Sequence, residues 1–287
     1  MKSIQKVGEG VFGEVFSAEG NGERAVLKII PVDGSTMINS SPQKPIREVI
    51  GEYLISQTLK ESNLAGFCNV KAASLCNGIY PKSLKTAWDK YAETKESEND
   101  RPWEVLAKDQ LYIVLQMEHC GQDLDSQQLN ATEAVYLLKQ IAKNLAAAES
   151  ACEFEHRDLH SGNVLVSRDA ETGQLEPTII DFTLSRVKPK NEDAIYADLE
   201  YDHEIFEGEG DPQFDVYRDM QNALNRDWSI YQPKTSVYWI AFLAGWMGRN
   251  IAAGKSKTSR KLLDLRKTLR RYKNANEIVD RLDIVLK

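Results

Sequence analysis

The run Glu155-His156-Arg157-Asp158-Leu159-His160-Ser161-Gly162-Asn163 contains the pattern H-R-D-L-x-x-x-N. Phosphoryl transfer needs an acceptor for a hydroxyl proton and an oxygen ligand for Mg²⁺. Asp158 and the amide of Asn163, close together on one loop, supply both. Downstream, Ile179-Ile180-Asp181-Phe182-Thr183 sets an acid at the end of a buried apolar strand, where its oxygens would hold metal. A single aspartate in such a place is often only a turn or a cap. The order of the elements lifts these residues above that alternative. His156 is expected to pack and hydrogen-bond rather than act as a base, and His119, His160 and His203 do not make a metal set.

Two further pieces lie upstream. Gly8-Glu9-Gly10-Val11-Phe12-Gly13-Glu14-Val15 reads G-x-G-x-x-G-x-V. A dinucleotide-binding turn has the same glycines, but it opens a helix at the third and carries an acid about 20 residues on. Here β-favouring residues and the turn Gly20-Asn21-Gly22 follow, so the glycines fall in a hairpin. Glycine there lets backbone N–H groups approach a phosphate; for these residues alone, a plain glycine turn stays open. Lys28 belongs to the apolar run Ala25–Ile30 and needs a partner, because a buried unpaired charge is costly. Glu52 is the candidate partner, with two solvated charges as the alternative.

Holding these residues in place takes several elements. The first 30 residues read strand, glycine turn, strand, turn, strand. Residues 32–45 are loop, and Val49, Ile50, Tyr53, Leu54 and Leu59 give Ile46–Leu59 a helical spacing. Residues 60–108 are polar and read as irregular, most of all from Glu96 to Pro102. Leu111–Leu115 is a strand, and Gly121 follows it. Asn130-Ala131-Thr132-Glu133 has capping-box spacing. Behind it, Val135, Leu138, Ile141, Ala142, Leu145 and Ala148 form one apolar helical stripe, which reads as core. Short strands are expected at Asn163–Ser167 and Thr178–Phe182. The fold class is α+β and bilobal: a small β-rich lobe over 1–117, a hinge at 118–121 and a larger, mainly helical lobe over 122–287.

Composition narrows the function classes. The 287 residues are 42% apolar and 28% charged, values ordinary for a soluble globular protein. Lys and Arg number 36 against 43 Asp and Glu, a net charge of −7, which argues against a general nucleic-acid binder. The charge is unevenly placed. Glu192–Asp215 carries ten acids and no Lys or Arg, whereas Lys255–Lys273 carries nine basic residues and one acid, Asp264. Cys68, Cys76, Cys120 and Cys152 contain no C-x-x-C pair, so reduced intracellular thiols are expected rather than a disulfide framework or a zinc site. Met1-Lys2-Ser3-Ile4-Gln5-Lys6 has no apolar run behind it, so a secretory signal is not expected, and with seven residues before Gly8 any targeting or regulatory region is expected to be either removed from this sequence or naturally absent. Ser236–Met247 is too short to span a bilayer and reads as a buried helix.

Together the motifs resemble those of the eukaryotic protein kinases and, within them, the haspin kinases, over essentially the whole chain. The phosphate loop Gly8–Phe16 is similar to theirs. Ala87-Trp88-Asp89-Lys90-Tyr91 with Asn99-Asp100-Arg101-Pro102 resembles the family's insert within about 60–108, before the hinge strand. Ile179–Arg186 is similar to the haspin metal motif, with Thr183 where glycine is usual. Gly208-Glu209-Gly210-Asp211 and Gln213–Arg218 also match, and haspins share the lack of an A-P-E motif. The resemblance implies a serine/threonine protein kinase using ATP and Mg²⁺. Lys28 would contact the α- and β-phosphates and pair with Glu52, Asp158 would be the catalytic base, and Asn163 and Asp181 would hold metal. Nucleotide contacts would come from Val7, Gly8, Gly10, Gly13, Val15 and Val26, from Met117 as gatekeeper, from Glu118, His119, Cys120 and Gly121 at the hinge, and from Asp123, Phe182 and Thr183. Asp215 would brace the catalytic loop. Thr183, being β-branched, should keep the metal motif from flipping, so activity without activation-loop phosphorylation is expected.

Haspins phosphorylate a threonine near the amino terminus of histone H3, beside basic residues. By resemblance, Asp123, Asp125, Asp202 and Glu204 would meet such a peptide. The acidic stretch would focus field on it, the alternative being a solvated loop. The basic stretch 255–273 reads as a solvated helix face above a buried side of Leu262, Leu263, Leu265 and Leu269, with a nucleosome or DNA contact as the second reading. A monomer acting in the nucleus and on mitotic chromosomes is implied. Two other classes remain, a silent kinase-like interaction module and a small-molecule kinase. The complete Lys28, Glu52, Asp158, Asn163 and Asp181 set opposes the first, and the acidic stretch opposes the second.

Overall fold

A computed structural model of the chain describes residues 3–20, 22–95, 97–200, 202–251 and 257–285. Of the residues named above, Met1, Lys2, Asn21, Glu96, Lys255 and the side chain of His203 lie outside that set. The chain divides into two compact units, Met1–Tyr53 with Asn69–His119, and Leu54–Cys68 with Cys120–Lys287.

The first unit is built on a five-stranded antiparallel sheet. Its strands are β1 (Ser3–Gly10), β2 (Gly13–Gly20), β3 (Glu23–Val32), β4 (Val70–Asn77) and β5 (Leu111–Glu118), in the order β1-β2-β3-β5-β4. Helix α1 (Ile46–Glu61), within which the division falls, is followed by α2 (Lys82–Lys95) and α3 (Pro102–Val105). Val15 lies opposite Lys28, and Lys28 opposite Leu115; Val26 lies opposite Met117. Side chains alternate along a strand, so Val15, Val26, Lys28 and Met117 share one face of the sheet. On the other face Phe16, Ile29 and Tyr112 pack with Tyr80, Leu84, Ala87 and Trp88.

That packing corrects the reading of 60–108 as irregular. The stretch contains β4, α2 and α3. Leu84, Ala87 and Trp88, at i, i+3 and i+4, bury one narrow side of α2. The polar residues around them hid the helix.

In the second unit a three-stranded sheet, β6 (Gln122–Asp123), β7 (Val164–Arg168) and β8 (Leu175–Ile179), accompanies α4 (Ala131–Cys152). The short pair β9 (Arg186–Val187) and β10 (Ile195–Tyr196) precedes α5 (His203–Glu207), α6 (Pro212–Ala223), α7 (Lys234–Asn250), α8 (Lys257–Leu269) and α9 (Ala275–Val285). The capping box forms: Asn130 Oδ1 accepts from Thr132 N–H at 2.9 Å and Glu133 N–H at 3.0 Å, while Glu133 Oε2 accepts from Asn130 N–H at 3.0 Å. Leu138, Ile141 and Leu145 of α4 join a core that takes in α7 and, from α8, Leu262, Leu265 and Leu269. Leu263 is 38% exposed, because it falls off the i, i+3, i+7 line of those three. Strand β8 ends at Ile179, short of the expected Phe182, because Asp181 takes a φ of +60°. No helix among the described residues is long and apolar enough to cross a membrane.

Candidate active site

The glycine motif turns between β1 and β2. Gly8 lies opposite Val15, Gly10 opposite Gly13, and a bulge at Val7, itself 49% exposed, breaks the register. The glycines have different causes. A Cβ on Gly13 would come within 2.5 Å of the Ile29 carbonyl oxygen, so strand packing demands glycine there. Gly8 and Gly10 have room for a Cβ, so the fold does not require glycine at either position. Behind the hairpin, Lys28 Nζ stands 3.0 Å from both Glu52 carboxylate oxygens. Only 2% of the glutamate side chain is exposed, which favours the ion pair over two solvated charges. At the end of β5, Glu118 exchanges bonds with Asn69, accepting its N–H at 2.9 Å and donating to its carbonyl at 3.2 Å. Met117 is buried, and His119 is exposed.

The second unit carries the loop chemistry. Asn163 Nδ2 donates to Asp158 O at 2.8 Å and to Asp158 Oδ2 at 3.2 Å, while the Tyr217 hydroxyl donates to Asp158 Oδ1. Burial pushes the Asp158 carboxyl up to about 6, against the lowering pull of His160, Tyr217 and Asn163. His156 accepts the Asp158 N–H on Nδ1 at 3.2 Å, so Nε2 carries the proton and donates to Ile180 O at 2.9 Å. Burial drives this ring down to about 4, and it stays neutral. Arg157 is fully buried and spent on Glu155, Trp228 O and Ile230 O.

Asp181 Oδ1 accepts from Thr183 N–H at 3.1 Å and from Thr183 Oγ1 at 2.6 Å. The turn is thus tied by the threonine hydroxyl, a bond glycine could not make. Phe182 is 1% exposed and packs on Phe67, Phe154 and His156, which anchors the metal turn in the core. With Asn163 Nδ2 committed to Asp158, the amide oxygen and the Asp181 carboxylate are two hard oxygen donors, and they fit Mg²⁺.

A family model described as the haspin-like kinase domain matches residues 1–285. The chain belongs to that family. It is 37% identical over 270 residues to the serine/threonine-protein kinase haspin homolog of Drosophila melanogaster, covering 84% of this chain and 47% of that protein. It is 36% identical over 267 residues to serine/threonine-protein kinase haspin of Bos taurus, covering 85% and 34%. With the haspin homolog of Arabidopsis thaliana it shares 35% over 305 residues, covering 97% and 50%. The chain therefore spans half or less of the length of these curated relatives.

Against the pattern expected of a haspin-like kinase, one brace differs. Asp215 is exposed and pairs with Arg218 at 2.8 Å, because it sits on the solvent side of the first turn of α6. Tyr217, two residues on, faces inward to Asp158 instead. Gly121, at φ +109°, is forced: a Cβ there would lie 2.3 Å from Val166 O. Asp125 comes close to the catalytic loop, since a Cβ on Gly162 would lie 3.8 Å from its Oδ2. Asp202 is near enough to raise the pKa of Tyr217, after burial and Asp158 itself. Glu204 is exposed in the first turn of α5, and Asp123 is exposed on β6. Asn39 lies in no sequence motif, and Asn99 and Tyr217 fall in stretches that resemble the family without a role assigned to either; a tyrosine or asparagine carries no signal until the fold brings its partner close.

Proposed function

We propose that this chain is an ATP-dependent serine/threonine protein kinase whose substrate is a threonine in a basic peptide, the amino-terminal tail of histone H3. The observation that carries the reading is Asp158, with each carboxylate oxygen held by a donor and its partner Asn163 turned to offer an amide oxygen. Bound Mg²⁺ would offset charge on the transferring phosphoryl group. Lys28, oriented by Glu52, would engage the α- and β-phosphates, and the hairpin amides the phosphate oxygens. Asp158 would orient the threonine hydroxyl and take its proton. Asn163 and Asp181 would hold the metal. Val15, Val26 and Met117 would contact adenine, with the 118–121 segment as hinge.

The acids Asp123, Asp125, Asp202 and Glu204 are the proposed contacts for lysine and arginine of the peptide. The exposed basic residues of α8 are the proposed second surface, for nucleosomal DNA. Nuclear, mitotic action as a monomer completes the reading, by analogy with the family. Transfer of labelled phosphate from MgATP to an amino-terminal H3 peptide tests it, with Asp158→Asn as control. Transfer that falls by at least a hundredfold in the variant is expected. Nucleotide binding with no transfer to any protein would leave a silent interaction module instead.

A further inference from the structure

The hairpin that carries the glycines is held from outside by two asparagines. Asn99 Nδ2 donates to Gly10 O at 3.1 Å and to Glu14 Oε1 at 3.0 Å. Asn39 Nδ2 donates to Val11 O at 2.9 Å. The holders are themselves locked together through Asp100, which accepts Asn39 N–H on Oδ2 at 2.8 Å and gives its own N–H to Asn39 Oδ1 at 2.7 Å. One clamp, built from Asn39 and the 97–100 segment, thus grips consecutive carbonyls at the tip.

A trans peptide is planar, and its C=O and N–H point in opposite directions. The described peptides here are all trans. Holding the Gly10 carbonyl therefore aims the Val11 N–H away from Asn99, and holding the Val11 carbonyl does the same for the Phe12 N–H. Among the described residues, neither amide donates to a protein acceptor. The β1–β2 ladder closes at the Gly10–Gly13 pair, so Val11 and Phe12 stand beyond it, and the bond from Asn39 holds the Val11 carbonyl in the turn.

We propose that Asn39 and Asn99 are positioning residues for nucleotide phosphate: they fix two tip peptides so that the Val11 and Phe12 amides are presented to phosphate oxygens before ATP arrives. The proposal rests on reading the hairpin as a phosphate loop. Its physical advantage is that the ordering entropy of the tip is settled in folding rather than charged against binding. Neither residue touches the nucleotide in this account; each acts through a carbonyl.

Calorimetric binding of MgATP and of adenosine separates the possibilities. The Asn39→Ala/Asn99→Ala double variant should bind MgATP about tenfold or more weakly, while its adenosine Kd stays within about twofold of wild type. Equal weakening of both ligands, or of neither, overturns the proposal, since a general loosening of the unit would not distinguish them. If the double variant does not fold, Asn39→Ala alone carries the test, because its bond to Val11 is solvent-exposed. A wild-type chain that binds adenosine and MgATP with the same affinity would instead sink the phosphate-loop reading, whatever the variants do.

Discussion

Tyr217 donates its hydroxyl hydrogen to Oδ1 of Asp158, joining α6 to the catalytic loop. Asn163 holds the other oxygen, so the carboxylate has one fixed rotation. A hydrogen bond to a charged group contributes roughly 1.5–3 kcal/mol. Tyr217→Phe keeps the ring in its contact with Trp239 and removes one oxygen. We expect kcat to fall by roughly tenfold to a hundredfold, with the KM for ATP and the thermal midpoint nearly unchanged. A fall in KM-dependent terms alone, with kcat intact, would show that Tyr217 does not orient the base.

Activation-loop phosphates work by meeting an arginine, which orders the loop. Arg157 is 0% exposed and already satisfied by Glu155 and two carbonyls, so it offers nothing to a phosphate. The Thr183 hydroxyl ties the metal turn without outside help. Protein treated with phosphatase should therefore keep its initial rate of peptide phosphorylation within about twofold. An inactive product would overturn this.

The acidic stretch should matter to the peptide and not to the nucleotide. The charge of Asp202 helps raise the pKa of Tyr217, after burial and Asp158, and Glu204 follows on the exposed start of α5. Charge reversal of both, Asp202→Lys with Glu204→Lys, should raise the KM for a basic peptide about tenfold or more and leave the KM for ATP unchanged. The effect should shrink at high salt. An unchanged peptide KM would assign this stretch to solvent.

The parts legible in the sequence were those set by spacing along one element. The capping box at Asn130, the β1–β2 hairpin and the stripe on α4 all follow from local pattern, and the structure forms each of them. The Lys28–Glu52 pair was legible because a charge in an apolar run demands an answer. Helix α2 was not, since three buried residues among polar ones give a weak period. Nor was the inward turn of Tyr217 or the outward turn of Asp215, because both depend on how α6 is rotated, and the Tyr217 bond joins residues far apart in the chain whereas Asp215 pairs only with Arg218 one turn on. The roles of Asn39 and Asn99 escaped for the same reason: their acceptors, the Val11 and Gly10 carbonyls and the Glu14 carboxylate, lie far away in sequence, where no pattern marks them.

Glu149 gives the unit that holds the catalytic loop a pH dependence of its own. It is 5% exposed on α4 and accepts the Ala275 N–H at the start of α9 at 3.0 Å. Burial, opposed in part by that bond and aided by the charge of Glu155, raises its carboxyl from 4.5 to about 7. The folded chain thus keeps a proton that the unfolded chain releases at lower pH. Its contribution to stability is whole below about pH 4.5 and is lost as pH rises through 7, a difference of about 3 kcal/mol. Glu149→Gln removes the titration and retains an oxygen for Ala275. Thermal unfolding of the variant should lose this part of the pH dependence between pH 5 and 8, with a midpoint a few degrees above wild type at pH 8. A variant less stable by the same amount at every pH would show that the Glu149 carboxyl titrates alike in the folded and unfolded chains, and a loss confined to high pH would show that the fold requires the ionised form.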